Sequence, residues 1–586
     1  MAKLLNYNHM FFIVIVIFIV FGLQAYAVPY DDSYTLDCLA TPLSAQYDGG
    51  MVVNPELNEG LNGWTVFGDA IIEHVASDDG NKFIVASNRY QPHHSFAQTI
   101  YLETGKLYTF SAWLQVSHGK ADVAAIFKTE TSYETVGWAK AQKDCWSMLK
   151  GGLVVKTSGP AQLYFETNNT DVDLSADSIS LQSFTQEEWK SHQQQRIKKV
   201  RKTRVRLQAV DQAGRPMANA TVSLTQTRPG FPLGCAINKN ILYNPSYQSW
   251  FLSRFTHTVF ENELKWYSTE YTQGFEDYST SDAMVQFTQS HGLKVRGHNV
   301  FWDNPDCQPQ WAKGLSSNEL WAAANKRINS VMSRYQGKFI QWDVVNENMH
   351  YNFFENNLGS ISASTYFYQT ANQIDPATTP FLNEYNTIEW AGDPASSPAK
   401  YMEKIGLLRS QGYHGPLGFG LESHFTQGNV NPASIRTSLE MLAQAGLPIW
   451  ATELDVSAGP NQASDLDQIL HELYSNPAVE GIMMWAAWSP QGCYVMCLTN
   501  NDFINLDTGN VVDKFLTELK QADDDFDAPR TTDSNGFFET SLPHGHYHVK
   551  ITHPTRPLFS NFGRINVVPE EFMLPIYRFT IINPEN

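Results

Sequence analysis

Cysteine is scarce: six in 586 residues, most of them far apart, is too few for a disulfide scaffold. Cys38, Cys145, Cys235, Cys307, Cys493 and Cys497 leave room for one to three bridges, and the CYVMC loop at 493–497 either closes on itself or pairs elsewhere. No Cys/His cluster has metal-ligand spacing, so neither a metal nor a cofactor is expected. Basic residues are outnumbered 41 to 60, and the formal charge of −19 argues against nucleic acid as a partner. A glycine-rich phosphate turn is missing, which excludes a doubly wound nucleotide-binding sheet. Beyond the first segment, no apolar run approaches the ~20 residues that a membrane span needs.

That first segment runs from Lys3 through an apolar stretch at 10–21 to Ala25-Tyr26-Ala27. Basic region, apolar core and small-x-small site form a secretory signal peptide over 1–27, so the expected product is secreted, with no membrane attachment after cleavage. The length implies two to four domains. Aromatic residues are plentiful, with 15 Trp, 26 Tyr and 34 Phe; most fill cores, and the excess suits platforms for sugar rings. Asn168 and Asn219 begin N-glycosylation sequons.

Residues 28–48 are polar and irregular, an arm or linker. From 49 to 185 short alternating runs separated by Gly, Asn, Asp and Ser turns predict an antiparallel β-sandwich. NPELNEGLNGWTVFGDA, NRYQPHHSFAQTI and GKLYTFSAWLQV in this part resemble the jelly-roll carbohydrate-binding modules that precede xylan-degrading domains. The resemblance makes Trp64, Arg89, Tyr90, Trp113, Tyr133 and Glu166 candidates for sugar contact, against a core role for the two tryptophans.

Residues 186–203 turn polar and basic and read as a solvated linker or surface helix. Residues 204–228 predict two alternating strands joined in a hairpin, and 523–586 carries a second such pair at 531–552. The two pieces resemble the halves of a small transthyretin-like sandwich, with everything between them inserted. The competing arrangement packs each hairpin separately on the inserted domain.

Residues 229–522 alternate strand-like and helix-like segments eight times, the rhythm of a (β/α)8 TIM barrel of roughly 290 residues. FIQWDVVNE at 339–347 is an apolar strand that turns polar only at its end, and PIWATELDV at 448–456 repeats the pattern. Parallel barrel strands bury both faces and carry their chemistry on the C-terminal rim. Glu347 and Glu453 therefore converge over one cleft, and paired carboxylates are what cleavage of a glycosidic bond requires.

ENELKW at 261–266, RGH at 296–298, WDVVNE at 342–347, ESH at 422–424, TELD at 452–455 and Trp485, in that order on barrel strand ends, resemble glycoside hydrolase family 10 endo-1,4-β-xylanases of the multi-domain plant type. The resemblance implies a retaining enzyme acting on cell-wall xylan (glucuronoxylan or arabinoxylan) as a monomer. It makes Glu347 the general acid and then base, Glu453 the nucleophile, His424 the residue that bonds the nucleophile and Asp455 the one that orients His424. Glu261, Asn262, Lys265, His298, Trp302, Asn346, Glu422, Trp485 and Trp488 become substrate contacts, although Trp485 and Trp488, three apart, face opposite sides if both lie on one strand.

Asp303 and Glu422 stand where that family commonly has histidine and glutamine, Pro490 where it often has an acid, and Tyr271 where it has proline. Either added carboxylate is placed to raise a neighbour's pKa or meet a sugar hydroxyl. Two other readings are a catalytically silent xylan-binding protein and a β-1,4-glucanase or transglycosylase on the same barrel.

Overall fold

The computed structural model describes residues 28–520, 530–554, 556–569 and 574–581. The signal-peptide reading of 1–27 lies outside them.

Eight parallel strands form the central barrel: Leu233–Ile237, His257–Phe260, Lys294–Trp302, Gln341–Asn346, Thr379–Glu384, Gly418–Leu421, Ile449–Val456 and Val479–Met484. The first strand pairs with the last and closes the ring. Gln341–Asn346 and Ile449–Val456 are buried at every position, the environment their continuous apolar runs demand. A short extra strand, His424–Phe425, continues the sixth strand's path beside Asp455 and Val456.

The N-terminal sandwich holds two five-stranded sheets around a core that includes Trp64, Phe96, Phe110 and Phe165. Two of its strands, Ile71–Ala76 and Tyr133–Gln142, escape the sequence reading. Their faces are mostly half-exposed, so the apolar alternation that marks a strand is weak there. The 28–48 arm is tied to the sandwich by the Cys38–Cys145 disulfide.

The flanking segments do build one small domain, but not from hairpins. Lys202–Val210 lies between Phe537–Pro543 and Ile576–Thr580 in one three-stranded sheet, while Thr221–Pro229 pairs with Gly545–His553 in the other. Each expected hairpin is thus split across the two sheets. Strands with a single apolar face bury it by facing each other: Val205, Leu207 and Ala209 meet Val222, Val549 and Ile551 in one core. Separate packing of two hairpins is excluded by this shared core.

Of the two readings of 186–203, solvated linker or surface helix, the structure has the helix, but docked rather than solvated. Gln186–Arg201 is a helix opened by a Thr185/Glu188 capping box, with Trp189, His192 and Gln193 buried. Trp189 Nε1 donates to Glu472 at 2.8 Å, and the Arg436 guanidinium, itself bound to Glu472, sits 3.7 Å from the Trp189 ring centre. Polar residues are buried here because their partners lie more than 240 residues away, which no local pattern reveals.

Barrel and sandwich are packed directly on each other. The barrel helix Pro432–Ala443 is buried along nearly its whole length against the sandwich strand Ser147–Leu153, and a Cβ at Gly152 would collide with the backbone of Ala433 and Ser434. Lys150 and Glu440 pair at 3.0 Å with both side chains almost fully buried. Trp138 donates its indole N–H to the Ala391 carbonyl at 2.9 Å, in the loop that follows the fifth barrel strand.

Candidate active site

The C-terminal ends of the strands surround a cleft of about 840 Å³. Glu347 follows directly on Gln341–Asn346 and takes a left-handed backbone, φ 55°, that turns its side chain into the cleft from a chain position otherwise committed to the core. Its N–H donates to Asn383 O at 3.0 Å, tying the turn to the next strand. Glu453 needs no such turn, because it lies inside Ile449–Val456, where an inward position near the strand end already faces the cleft.

The two carboxyls have different surroundings. Burial pushes Glu347 up to about 7, and the charges of Glu384 and Glu453 add to it while Lys265 and the Trp302 indole oppose it. Glu453 is held by three groups: Asn383 Nδ2 donates to its Oε1 at 2.9 Å, His298 Nδ1 stands 3.7 Å from the same oxygen, and His424 Nε2 lies 3.8 Å from Oε2. His424 Nδ1 is 3.0 Å from Asp455. Burial alone would lower the His424 pKa, but Asp455 and Glu422 carry it well above the ordinary imidazole value. Glu422, 3.4 Å from His424 Nε2, is itself pushed well up by burial and by the neighbouring Glu453 and Glu347.

His298 is fixed by Asp343, which accepts from its Nδ1 at 2.8 Å and from Arg296 at 2.6 Å with all three side chains buried. On the opposite wall Lys265 Nζ lies 4.5 Å from the Trp302 ring and 5.5 Å from Trp485, and donates to Asn262 at 3.3 Å. Burial lowers the Lys265 pKa. Glu261 accepts from Asn238 at 3.0 Å and is pushed by burial to about 7. Asn346 accepts the Asn383 amide at 2.9 Å.

Glu347, Glu453, His424, Asp455, Glu261, Asn262, Lys265, His298, Trp302, Asn346, Glu422 and Trp485 all line this one cleft. Trp488 does not. The eighth strand ends at Met484, so both tryptophans lie beyond it, and Trp488 packs against Tyr247 and Phe503 with its indole N–H on Asn501. Asp303 also stays out of the cleft. It lies beneath the rim, accepts the Phe354 N–H at 3.0 Å, and is pushed by burial to about 7. In the sandwich, Trp64 and Trp113 are core and Arg89 is buried on backbone carbonyls, while Tyr90 and Tyr133 remain exposed.

Three residues escaped the sequence reading. Asn383 touches Asn346, Glu422 and Glu453 at once. Glu384 binds His350 at 2.6 Å; burial would lower that imidazole, but Glu384 and Asp393 raise it to about 9. Glu389 accepts the N–H groups of Ser423 and His424 at 2.8 and 3.0 Å, which holds Ser423 in its left-handed conformation, φ 72°. The signal for the first two was available, since FLNEYN is another apolar strand that ends polar. Among the described residues, Glu422, His424 and Glu453 also bring one ligand atom each within 4.8 Å of one another, a spacing a metal ion accepts. Short-range Cys/His spacing does not reveal a group assembled from two strands.

A cleft with a protonated carboxyl, an ionisable one beside it and flat apolar walls can donate a proton on one side of a bond and attack from the other. Residues 223–492 match glycosyl hydrolase family 10, and residues 49–173 match a carbohydrate binding domain. Endo-1,4-beta-xylanase 5-like of Arabidopsis thaliana is 42% identical over 484 residues, 81% of this chain and 83% of that one. The chain belongs to glycosyl hydrolase family 10. Endo-1,4-beta-xylanase 4 of the same plant is 36% identical over 483 residues, 80% of this chain and 85% of the other. Among solved structures, native xylanase 10B from Thermotoga maritima is 24% identical and covers 49% of this chain and 97% of its own, with a TM-score of 0.43. As a family 10 member with this cleft, the chain is a glycoside hydrolase.

Proposed function

We propose that the protein is a secreted, retaining endo-1,4-β-xylanase that cleaves internal links of cell-wall xylan through a covalent glycosyl-enzyme. The reading rests on the unequal environments of Glu347 and Glu453, and the named relatives supply the substrate class. Glu347, raised to about 7, gives its proton to the glycosidic oxygen as that oxygen leaves with the aglycone. Glu453 attacks the anomeric carbon and becomes an ester. Its negative charge is one of the causes that hold Glu347 up, so esterification lowers the Glu347 pKa. Glu347 is then a carboxylate that takes a proton from water as the water oxygen bonds to the anomeric carbon, and the ester C–O bond breaks to release Glu453 as a carboxylate.

In this reading Asn346 and His298 meet the hydroxyls of the sugar being cleaved, and Lys265, Asn262 and Glu261 the sugar beyond it; all five line the cleft. Trp302 and Trp485 form flat walls around Lys265. Asp455 keeps His424 oriented towards the nucleophile. The sandwich, through Tyr90 and Tyr133, adds exposed rings for the same polymer.

Substitution of each glutamate separates the roles. Glu453→Ala abolishes release of reducing ends from xylan, and added azide restores turnover of an activated aryl xyloside as a glycosyl azide. Glu347→Ala loses xylan hydrolysis but keeps the first step on an aryl xyloside whose leaving group needs no proton. Xylan hydrolysis retained by both variants would place the site elsewhere. A wild-type protein that binds xylan without cutting it would make this a binding protein.

A further inference from the structure

At the opposite end of the barrel from the cleft, a second cavity of about 570 Å³ lies between the N-terminal strand ends and the small β domain. Its charge is the reverse of the chain's. Among the described residues, Arg201, Arg228, Lys294, His257, His544 and His546 line it against one acid, Glu480, in a protein whose formal charge is −19. Like charges gathered on one wall repel each other and are stabilised when an anion enters between them.

The wall is built rather than incidental. Arg201 ends the helix that docks on the barrel, and its guanidinium is fixed by the carbonyls of Tyr474, Asn476 and Val479 at 2.8, 2.5 and 2.7 Å. It stands 4.7 Å from the Phe231 ring centre and 5.1 Å from that of Tyr474, so dipoles and ring faces hold it; among the described residues no carboxylate forms an ion pair with it, and Glu480 acts on it only through its charge. Burial lowers it to about 10, which leaves it a cation. Arg228 and Lys294 are exposed at the mouth. Burial, reinforced by Arg228 and Lys294, holds His257 near 4, and burial with Arg201 does the same for His544. These two imidazoles are therefore neutral and offer hydrogen bonds, while the three cations supply the charge.

A bare inorganic anion would fill little of this volume, which is in the range of pockets that enclose a molecule of several rings. Neutral imidazoles suit hydroxyl groups, and Phe231, Pro229 and Pro232 give an apolar wall for the carbon face of a sugar. We propose that this cavity binds a carboxylate-bearing saccharide, a uronic acid or short uronate chain, at a site separate from the cleft. Arg201, Arg228 and Lys294 would surround the carboxylate, with the ring along Phe231.

The test is calorimetric titration of the full chain with tri-galacturonic acid at low salt and two temperatures, with xylotriose and inorganic phosphate in parallel. One uronate per chain is expected, weakened by added salt. The exposed-site double variant Arg228→Ser/Lys294→Ser should lose at least about tenfold in affinity while xylan hydrolysis and melting temperature stay unchanged. Absence of uronate binding at millimolar concentration, binding that survives the double variant, or phosphate binding as tight as the uronate would each overturn the assignment.

Discussion

The amide nitrogen of Asn383 lies 2.9 Å from Oε1 of Glu453, and the same nitrogen reaches Asn346 at 2.9 Å and Glu422 at 3.2 Å. Two N–H bonds thus serve three acceptors, and Thr452 fixes the amide's orientation by donating to its oxygen at 2.6 Å. In the proposed mechanism Glu453 attacks as a carboxylate, so the bond to its Oε1 is the one that bears on turnover. A hydrogen bond to a charged group contributes about 1.5–3 kcal/mol. Asn383→Ala is therefore expected to lower kcat on xylan about 10- to 100-fold with a smaller change in KM, as measured in steady-state assays. An unchanged kcat would remove Asn383 from the support of Glu453.

The pH profile follows from Glu347. As the proposed acid it acts in its protonated form, and its pKa is raised to about 7, so kcat/KM should fall as pH rises through about 7. Burial is the largest cause that raises it, and the Glu384 charge is the next that acts in the same direction. Glu384→Gln removes that charge, lowers the Glu347 pKa and moves the alkaline limb to lower pH. A limb that stays in place, or moves up, would show that Glu384 does not act on the acid.

Glu347 and Glu453 were legible because a charge at the end of an apolar strand has only the barrel rim to occupy. The same rule covered Asn383 and Glu384, which were passed over because no second motif marked them. Trp488 entered with the family resemblance, and strand spacing already set it against Trp485; the strand stops at Met484 and the Trp488 ring packs into the core. Asp303 was read as raising a neighbour's pKa or meeting a sugar hydroxyl; it is buried on the Phe354 N–H and does not line the cleft, which removes the second reading. That the segment at 186–201 is a helix was one of its two readings, but its docking was hidden by its polarity, since the partners Glu472 and Glu440 lie far along the sequence.

Lys150 and Glu440 test whether the sandwich is a structural part of the barrel. Glu440 accepts from Lys150, Tyr30 and Arg196 at 3.0, 3.0 and 3.1 Å, and sandwich, arm, connecting helix and barrel meet at this one carboxylate. Breaking a buried pair outright costs about 3–5 kcal/mol; Glu440 keeps Arg196 and Tyr30 when Lys150 is removed, so the loss here falls below that range. Lys150→Met is expected to lower the unfolding temperature and to separate one cooperative transition into two, seen by differential scanning calorimetry. A single transition at the wild-type temperature would mean that the pair does not hold the modules together.

Tyr494 tests how the rim of the cleft reads the polymer. The Cys493–Cys497 disulfide closes a loop of five residues that carries Tyr494 to the cleft, where the ring is 88% exposed. An exposed ring on a closed loop makes no core contribution to lose, so its substitution should leave stability unchanged. A flat apolar face at that height can stack on a sugar remote from the bond being cut, and aromatic contacts of this kind contribute about 0.5–1.5 kcal/mol. Tyr494→Ala is expected to raise KM for xylohexaose about 2- to 12-fold with kcat preserved, and to leave xylotriose hydrolysis unaffected. Equal loss on both substrates would assign the ring to the reacting sugar; no loss on either would leave it outside the binding track.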